Sequence, residues 1–84
     1  MKFKVFIERK ALKQLEEIEE NQRRIIKDKL KELRNGFSLY LDIKKLKGFK
    51  NHYRLRIGKY RILFEIEENK IFVYSILPRE KAYR

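Results

Sequence analysis

The feature that most narrows the possible folds is a change in hydrophobic period along the chain, from two to about 3.6 and back to two. Residues 2–8 alternate, with Phe3, Val5 and Ile7 on one side and Lys2, Lys4 and Glu8 on the other, which predicts an opening strand. From Lys10 the apolar positions Ala11, Leu12, Leu15 and Ile18 fall at helical spacing, with Glu16, Glu17, Glu19 and Glu20 on the solvent side. A break is expected at Glu20-Asn21. A second helical stripe follows through Ile25, Ile26, Leu30 and Leu33 and stops at Asn35-Gly36. Residues 37–43 read as a connector with enough apolar side chains to pack down. Period two then returns in Tyr53–Ile57 and Tyr60–Glu67, separated by a Gly58-Lys59 turn. After a turn at Glu68-Asn69-Lys70, Ile71–Leu77 is almost wholly apolar, the pattern of a central strand covered on both faces, and Pro78 ends it. The element order is β-α-α-β-β-β. Helices followed by a strand meander predict an α+β fold, an antiparallel sheet with the N-terminal helical hairpin packed on one face.

Eighty-four residues hold one domain, 1–84. The chain is 42% charged but also 43% hydrophobic, which is enough apolar matter for a packed core and argues against a disordered tail. It contains no cysteine and one histidine, so thiol nucleophiles and cysteine-ligated metal centres are excluded, and neither a metal nor a cofactor is expected. No apolar run approaches the roughly 20 residues that span a bilayer. The N-terminus lacks the apolar stretch of a signal peptide. The expectation is a cytoplasmic protein that does not engage membranes.

The net charge of +11 is concentrated. Residues 1–43 carry 11 basic and 8 acidic side chains, and residues 62–84 carry 4 of each. Residues 44–61 carry 8 basic and none acidic. A local excess of this kind marks a polyanion site, whereas an even excess would serve only solubility. The segment reads as strand and not as a basic amphipathic helix, so nucleic acid is a better partner than a membrane surface.

Alternation places Arg54 and Arg56 on one side of a strand, and Arg61 opens the next. Arg79 leaves the end of the strand after that, and Tyr83 follows four residues later. A meander sets these strands side by side, so the five residues can meet in a cationic pocket with one phenol. Arginine presents a rigid fork of donors that matches phosphate oxygens. RNA supplies its own nucleophile, the 2′-hydroxyl, so such a pocket suits attack on a phosphodiester without a protein nucleophile. Tyr83 is the candidate for proton transfer. Plainer readings stand beside this one. Arg54 and Arg56 can be the solvated face of an edge strand, and Arg61 can pair with Glu65 or Glu67. Tyr53 and Tyr60 read as packing residues, and His52 as an exposed residue at a strand end.

The runs Lys45-Leu46-Lys47-Gly48 and Tyr53-Arg54-Leu55-Arg56-Ile57-Gly58-Lys59-Tyr60-Arg61-Ile62, then Ile76-Leu77-Pro78-Arg79 with Ala82-Tyr83-Arg84, resemble the RelE/ParE toxin superfamily. The likeness is greatest to its archaeal RelE branch and covers nearly the whole chain. The resemblance implies the toxin of a type II toxin–antitoxin pair, a metal-independent endoribonuclease that cuts mRNA in the ribosomal A site by 2′-hydroxyl attack. It implies Arg54, Arg56, Arg61, Arg79 and Tyr83 as catalytic residues, with Lys45, Lys47, Lys50, Lys59 and Lys81 as an RNA-binding fringe. Implied partners are the ribosome, mRNA and a cognate RelB-like antitoxin in a hetero-oligomer. Arginine at 54 and 56, where the bacterial RelE enzyme has lysine, implies charge stabilisation there and not general-base work. Two alternatives remain open at this stage: a ParE-like inhibitor of DNA gyrase without ribonuclease chemistry, and a non-catalytic RNA-binding module.

Overall fold

A computed structural model of the chain describes residues 2–82. Strand β1 (Lys4–Ile7) leads directly into helix α1 (Arg9–Glu16). Helix α2 (Glu20–Leu33) begins after a three-residue break, where the Glu19 carboxylate caps the new helix by accepting from the backbone N–H of Gln22 at 3.2 Å. The break thus lies just before Glu20-Asn21 and not at it. Gly36, at φ +96, closes α2, and its N–H donates to the Leu33 carbonyl at 3.0 Å. Four strands follow: β2 (Asp42–Lys45), β3 (His52–Ile57), β4 (Tyr60–Glu67) and β5 (Lys70–Pro78), then the single-turn helix α3 (Arg79–Ala82).

The predicted α+β class and element order hold, with β2 added at one edge. The sheet order is β1-β5-β4-β3-β2. The last four strands run antiparallel as expected, whereas β1 joins β5 in parallel, from Lys4↔Lys70 to Ile7↔Val73. Gly58, at φ +57, takes the first place of the two-residue β3–β4 hairpin, a left-handed conformation that glycine adopts without strain.

The core lies on one face of the sheet. Ala11 and Leu15 of α1 and Ile26, Leu30 and Leu33 of α2 are buried with Leu55, Ile62, Phe64, Ile71, Val73 and Ile76 of the strands. Tyr60 is buried and Tyr53 stacks on Phe64 with ring centroids 5.6 Å apart, so both tyrosines are packing residues. Where β1 ends, β5 loses its strand neighbour on that side. There the Gln14 side-chain carbonyl of α1 accepts from the Ile76 N–H at 2.8 Å and stands in for the missing strand.

Three expectations are corrected. Residues 37–41 do not pack down as a whole: Leu41 is buried, but Leu39 and Tyr40 are almost fully exposed. Residues 42–45, the end of the connector and the start of the basic stretch, form a strand of their own. Finally, β5 is not covered on both faces. Its second apolar side is the half-buried Phe72, Tyr74 and Leu77, which stay partly open to solvent. A bulge lets two successive residues share that side: Leu63 pairs with Ser75 and Phe64 with Val73, leaving Tyr74 as the extra residue.

Candidate nucleic-acid interface

The sheet face opposite the helices is built from the residues that alternate away from the core. The register aligns Asp42, Arg56, Arg61 and Leu77 in one cross-strand row, and Lys44, Arg54, Leu63 and Ser75 in the next. Arg54, Arg56 and Arg61, predicted to share a face, do share it. Arg54 is not on an edge strand, because β2 covers β3 on that side.

One carboxylate organises this group. Asp42 Oδ1 lies 3.2 Å from Arg54 Nη2, and Asp42 Oδ2 lies 3.1 Å from Arg56 Nε. The Arg54 side chain is only 13% exposed, whereas that of Arg56 is 53% exposed and presents its guanidinium to solvent. Arg61 is 4% exposed, and its Nη1 donates to the carbonyls of Gly58 and Tyr60, both at 3.1 Å. These carbonyls, rather than Glu65 or Glu67, hold the Arg61 fork at the β3–β4 hairpin. The backbone N–H of Arg79 donates to the Lys59 carbonyl at 2.7 Å, tying the start of α3 to the same hairpin. Arg79 therefore stands at the Arg56/Arg61 end of the sheet with its side chain exposed. Tyr83 lies outside the described residues.

The lysine fringe divides. Lys45 and Lys47, with Lys44, Leu46 and Arg54, line a cleft of about 190 Å³ at the β2–β3 end. Four cations there make a ready site for a phosphate. Lys50 is exposed in the loop between β2 and β3. Lys59 sits exposed in the hairpin with its ammonium 5.7 Å from the Tyr60 ring centroid. Lys81 departs from the other lysines: it lines a cavity of about 280 Å³ with Gln14 of α1, Glu17 and Ile18 just after it, and Leu77 of β5. Asp42 was not legible as a site residue, although its position as the last acid before a run of eight bases is a signal in retrospect.

His52 is not a free strand-end residue. Its Nδ1 is 3.0 Å from the Tyr74 hydroxyl, and its Nε2 is 3.8 Å from Glu65 Oε2. Burial raises the Tyr74 phenol above its ordinary 10.0, and the negative charges of Glu65 and Glu8 push it the same way. Among the described residues, no three His, Cys, Asp or Glu side chains converge as metal ligands, and no helix is long and apolar enough to cross a membrane.

The mixed five-stranded sheet with a helical hairpin on one face is shared with a solved toxin of a toxin–antitoxin pair. Residues 5–83 match the family model described as the ParE toxin of the type II toxin–antitoxin system parDE, and the chain belongs to this RelE/ParE toxin family. It is 37% identical over 83 residues to toxin RelE3 of Methanocaldococcus jannaschii, an alignment covering 95% of this chain and 94% of that one. The crystal structure of the RelB–RelE antitoxin–toxin complex from Methanococcus jannaschii matches with a TM-score of 0.81 at 35% identity, over 93% of this chain and 94% of that one. The archaeal RelE–RelB complex from Pyrococcus horikoshii shares the fold, with a TM-score of 0.82 at 24% identity, covering 98% and 100% of the two chains.

Proposed function

We propose that this toxin is a ribosome-dependent endoribonuclease that cleaves mRNA in the A site. The observation that carries the reading is the convergence of Arg54, Arg56 and Arg61 on one open sheet face, with Arg79 tied to the same hairpin. In the reaction the 2′-oxygen of one nucleotide forms a bond to the adjacent phosphorus, and the bond from phosphorus to the 5′-oxygen breaks. The products are a 2′,3′-cyclic phosphate and a free 5′-hydroxyl. The 2′-hydroxyl gives up a proton and the 5′-oxygen gains one, with Tyr83 as the proposed proton carrier. Negative charge builds on the phosphoryl oxygens as the new bond forms, and Arg56, Arg61 and Arg79 stabilise it. Arg54, tied to Asp42, fixes the register of the group and adds charge. Lys44, Lys45 and Lys47 hold a neighbouring phosphate of the message or of ribosomal RNA, with Lys50 and Lys59 at the periphery and Lys81 as an outlying contact.

The relatives whose structures are RelB–RelE complexes support a cognate RelB-like antitoxin as partner in a toxin–antitoxin hetero-oligomer, and a cytoplasmic site of action follows from ribosomal substrates. The test is an in vitro translation reaction with purified toxin and primer extension of the message. Cuts within the A-site codon are expected with wild type, with rates at least about 100-fold lower for Arg61→Ala and Tyr83→Phe. Uncut message on stalled ribosomes, together with inhibited supercoiling by DNA gyrase, would replace this reading with the ParE-type one.

A further inference from the structure

The open face carries a second feature that the arginine cluster does not use, a stripe of rings running across the strands. Phe49 in the β2–β3 loop lies 5.6 Å from His52 between ring centroids, and His52 lies 5.4 Å from Tyr74 in an edge-on arrangement. Further along β5, Phe72 stacks on Phe6 of β1, with centroids 5.4 Å apart and planes within 18°. The two ends of the stripe are open to solvent: Phe49 is 60% exposed and Phe6 is 44% exposed. The β5 bulge is what turns Tyr74 onto this side beside His52. Nothing in the core needs these rings, since the helices pack on the opposite face. A line of half-buried aromatics, open at both ends, offers flat apolar surface to a ligand with planar groups.

Its occupant is set by the neighbouring charge. The stripe adjoins the Lys44, Lys45, Lys47 and Arg54 cleft, because Leu46 N–H donates to the His52 carbonyl at 2.9 Å and joins the cleft to the ring-bearing residue. A ligand that spans both features has planar apolar groups on one side and regularly spaced negative charge on the other. Single-stranded nucleic acid has that form, and aromatic platforms on sheets stack two or three of its bases. The carboxylates of Glu65 and Glu8 near Tyr74 repel phosphate from the ring side. The backbone is thereby confined to the lysine side, and only bases are admitted over the rings.

The geometry points to a base-stacking platform, Phe49, His52, Tyr74, Phe72 and Phe6, that holds unpaired RNA nucleotides flanking the reacting phosphate. This deepens the ribonuclease reading, since it takes the same open face to be the one turned toward RNA. It does not depend on cleavage, so the two fail separately.

The full chain is titrated with a short 2′-O-methyl oligonucleotide carrying one 2-aminopurine, without ribosomes. Removal of the nucleophile leaves binding as the only event. Wild type is expected to quench the 2-aminopurine fluorescence as the base stacks, and the same oligonucleotide annealed to its complement is expected to bind without quenching. Phe49→Leu and Phe6→Leu keep the apolar bulk but remove the flat ring. Each is expected to lose quenching and to weaken binding about tenfold while melting like wild type, whereas Phe49→Trp restores both signals. Binding and quenching that are unchanged in both leucine variants overturn the platform, even if those variants lose affinity for a protein partner. A wild type that quenches but makes no A-site cuts leaves the platform standing and removes the ribonuclease reading instead.

Discussion

Arg56 and Arg61 are direct partners across the antiparallel β3–β4 pair, two guanidinium groups in a register that brings opposed side chains to about 5 Å at Cβ. Like charges so placed are destabilising unless an anion joins them. The protein turns each fork outward from the pair, Arg56 to Asp42 and Arg61 to the hairpin carbonyls. A phosphate reaching this row meets charge already assembled before it arrives.

Removing one member of the opposed pair separates stability from activity. Arg61→Met keeps an unbranched apolar stem, removes the guanidinium and relieves the repulsion. Its unfolding free energy in urea is expected within about 1 kcal/mol of wild type. Its single-turnover cleavage rate on ribosome-bound message is expected to fall at least about 100-fold. Cleavage near the wild-type rate would exclude Arg61 from the reacting centre.

Asp42 neutralises part of the charge that Arg54 and Arg56 carry. Asp42→Asn removes the carboxylate charge from two ion pairs, each worth up to about 1 kcal/mol, and leaves the two guanidinium charges less neutralised. RNA binding is expected to tighten about two- to fivefold at low salt. The plot of log K against log salt should steepen by about 0.7 for each phosphate newly neutralised. Weaker binding by this variant would mean that Asp42 serves to aim the arginines and not to restrain them.

Gln14 tests the fold alone. Gln14→Met leaves the Ile76 N–H without its acceptor in a buried strand, and a loss of about 1–3 kcal/mol in urea unfolding is expected. Gln14→Glu retains an acceptor oxygen and should lose less. RNA affinity, measured on folded protein, should not move in either variant.

Tyr74 makes stability fall at alkaline pH. Its phenol is raised in the folded state, so the folded protein resists the ionisation that the unfolded chain undergoes near 10.0. The contribution is whole below that value and is lost as pH rises through the folded-state value. Tyr74→Phe removes the group and its hydrogen bond to His52, a constant cost of about 1 kcal/mol. The gap in unfolding free energy between wild type and variant, constant from pH 7 to 9, should narrow above pH 10. A gap that widens instead would place an ionised Tyr74 in the native state.

The strands that alternate cleanly were legible in the residues. Val5 and Ile7, Leu55 and Ile57, and Ile62 and Phe64 all face the core as the period predicted. Strand β2 was not legible, because Asp42-Ile43-Lys44-Lys45 carries a single apolar residue and lies at an edge, where burial leaves little imprint on sequence. The parallel β1–β5 pairing was invisible for a different reason: a long-range partner leaves no local pattern. The split between the helices was displaced because its cap is Glu19, a residue type that seldom caps. Of the site, the shared face of Arg54, Arg56 and Arg61 followed from parity. The ring stripe did not, since it depends on a bulge that shifts parity within β5, and Lys81 lies apart from the other lysines because the chain turns toward α1 after Pro78.

The parallel strand pair also sets a clock on biosynthesis. Lys4 pairs with Lys70, and β5 lies between β1 and the rest of the sheet. Until residues 70–78 emerge from the exit tunnel, β1 has no neighbour, Ala11 and Leu15 lack the strand they pack beside, and Arg79 has not reached the hairpin. Such distant closure slows folding and makes completion of the sheet wait for β5. The arginine face therefore comes into being only once β5 has been made and has taken its place between β1 and β4.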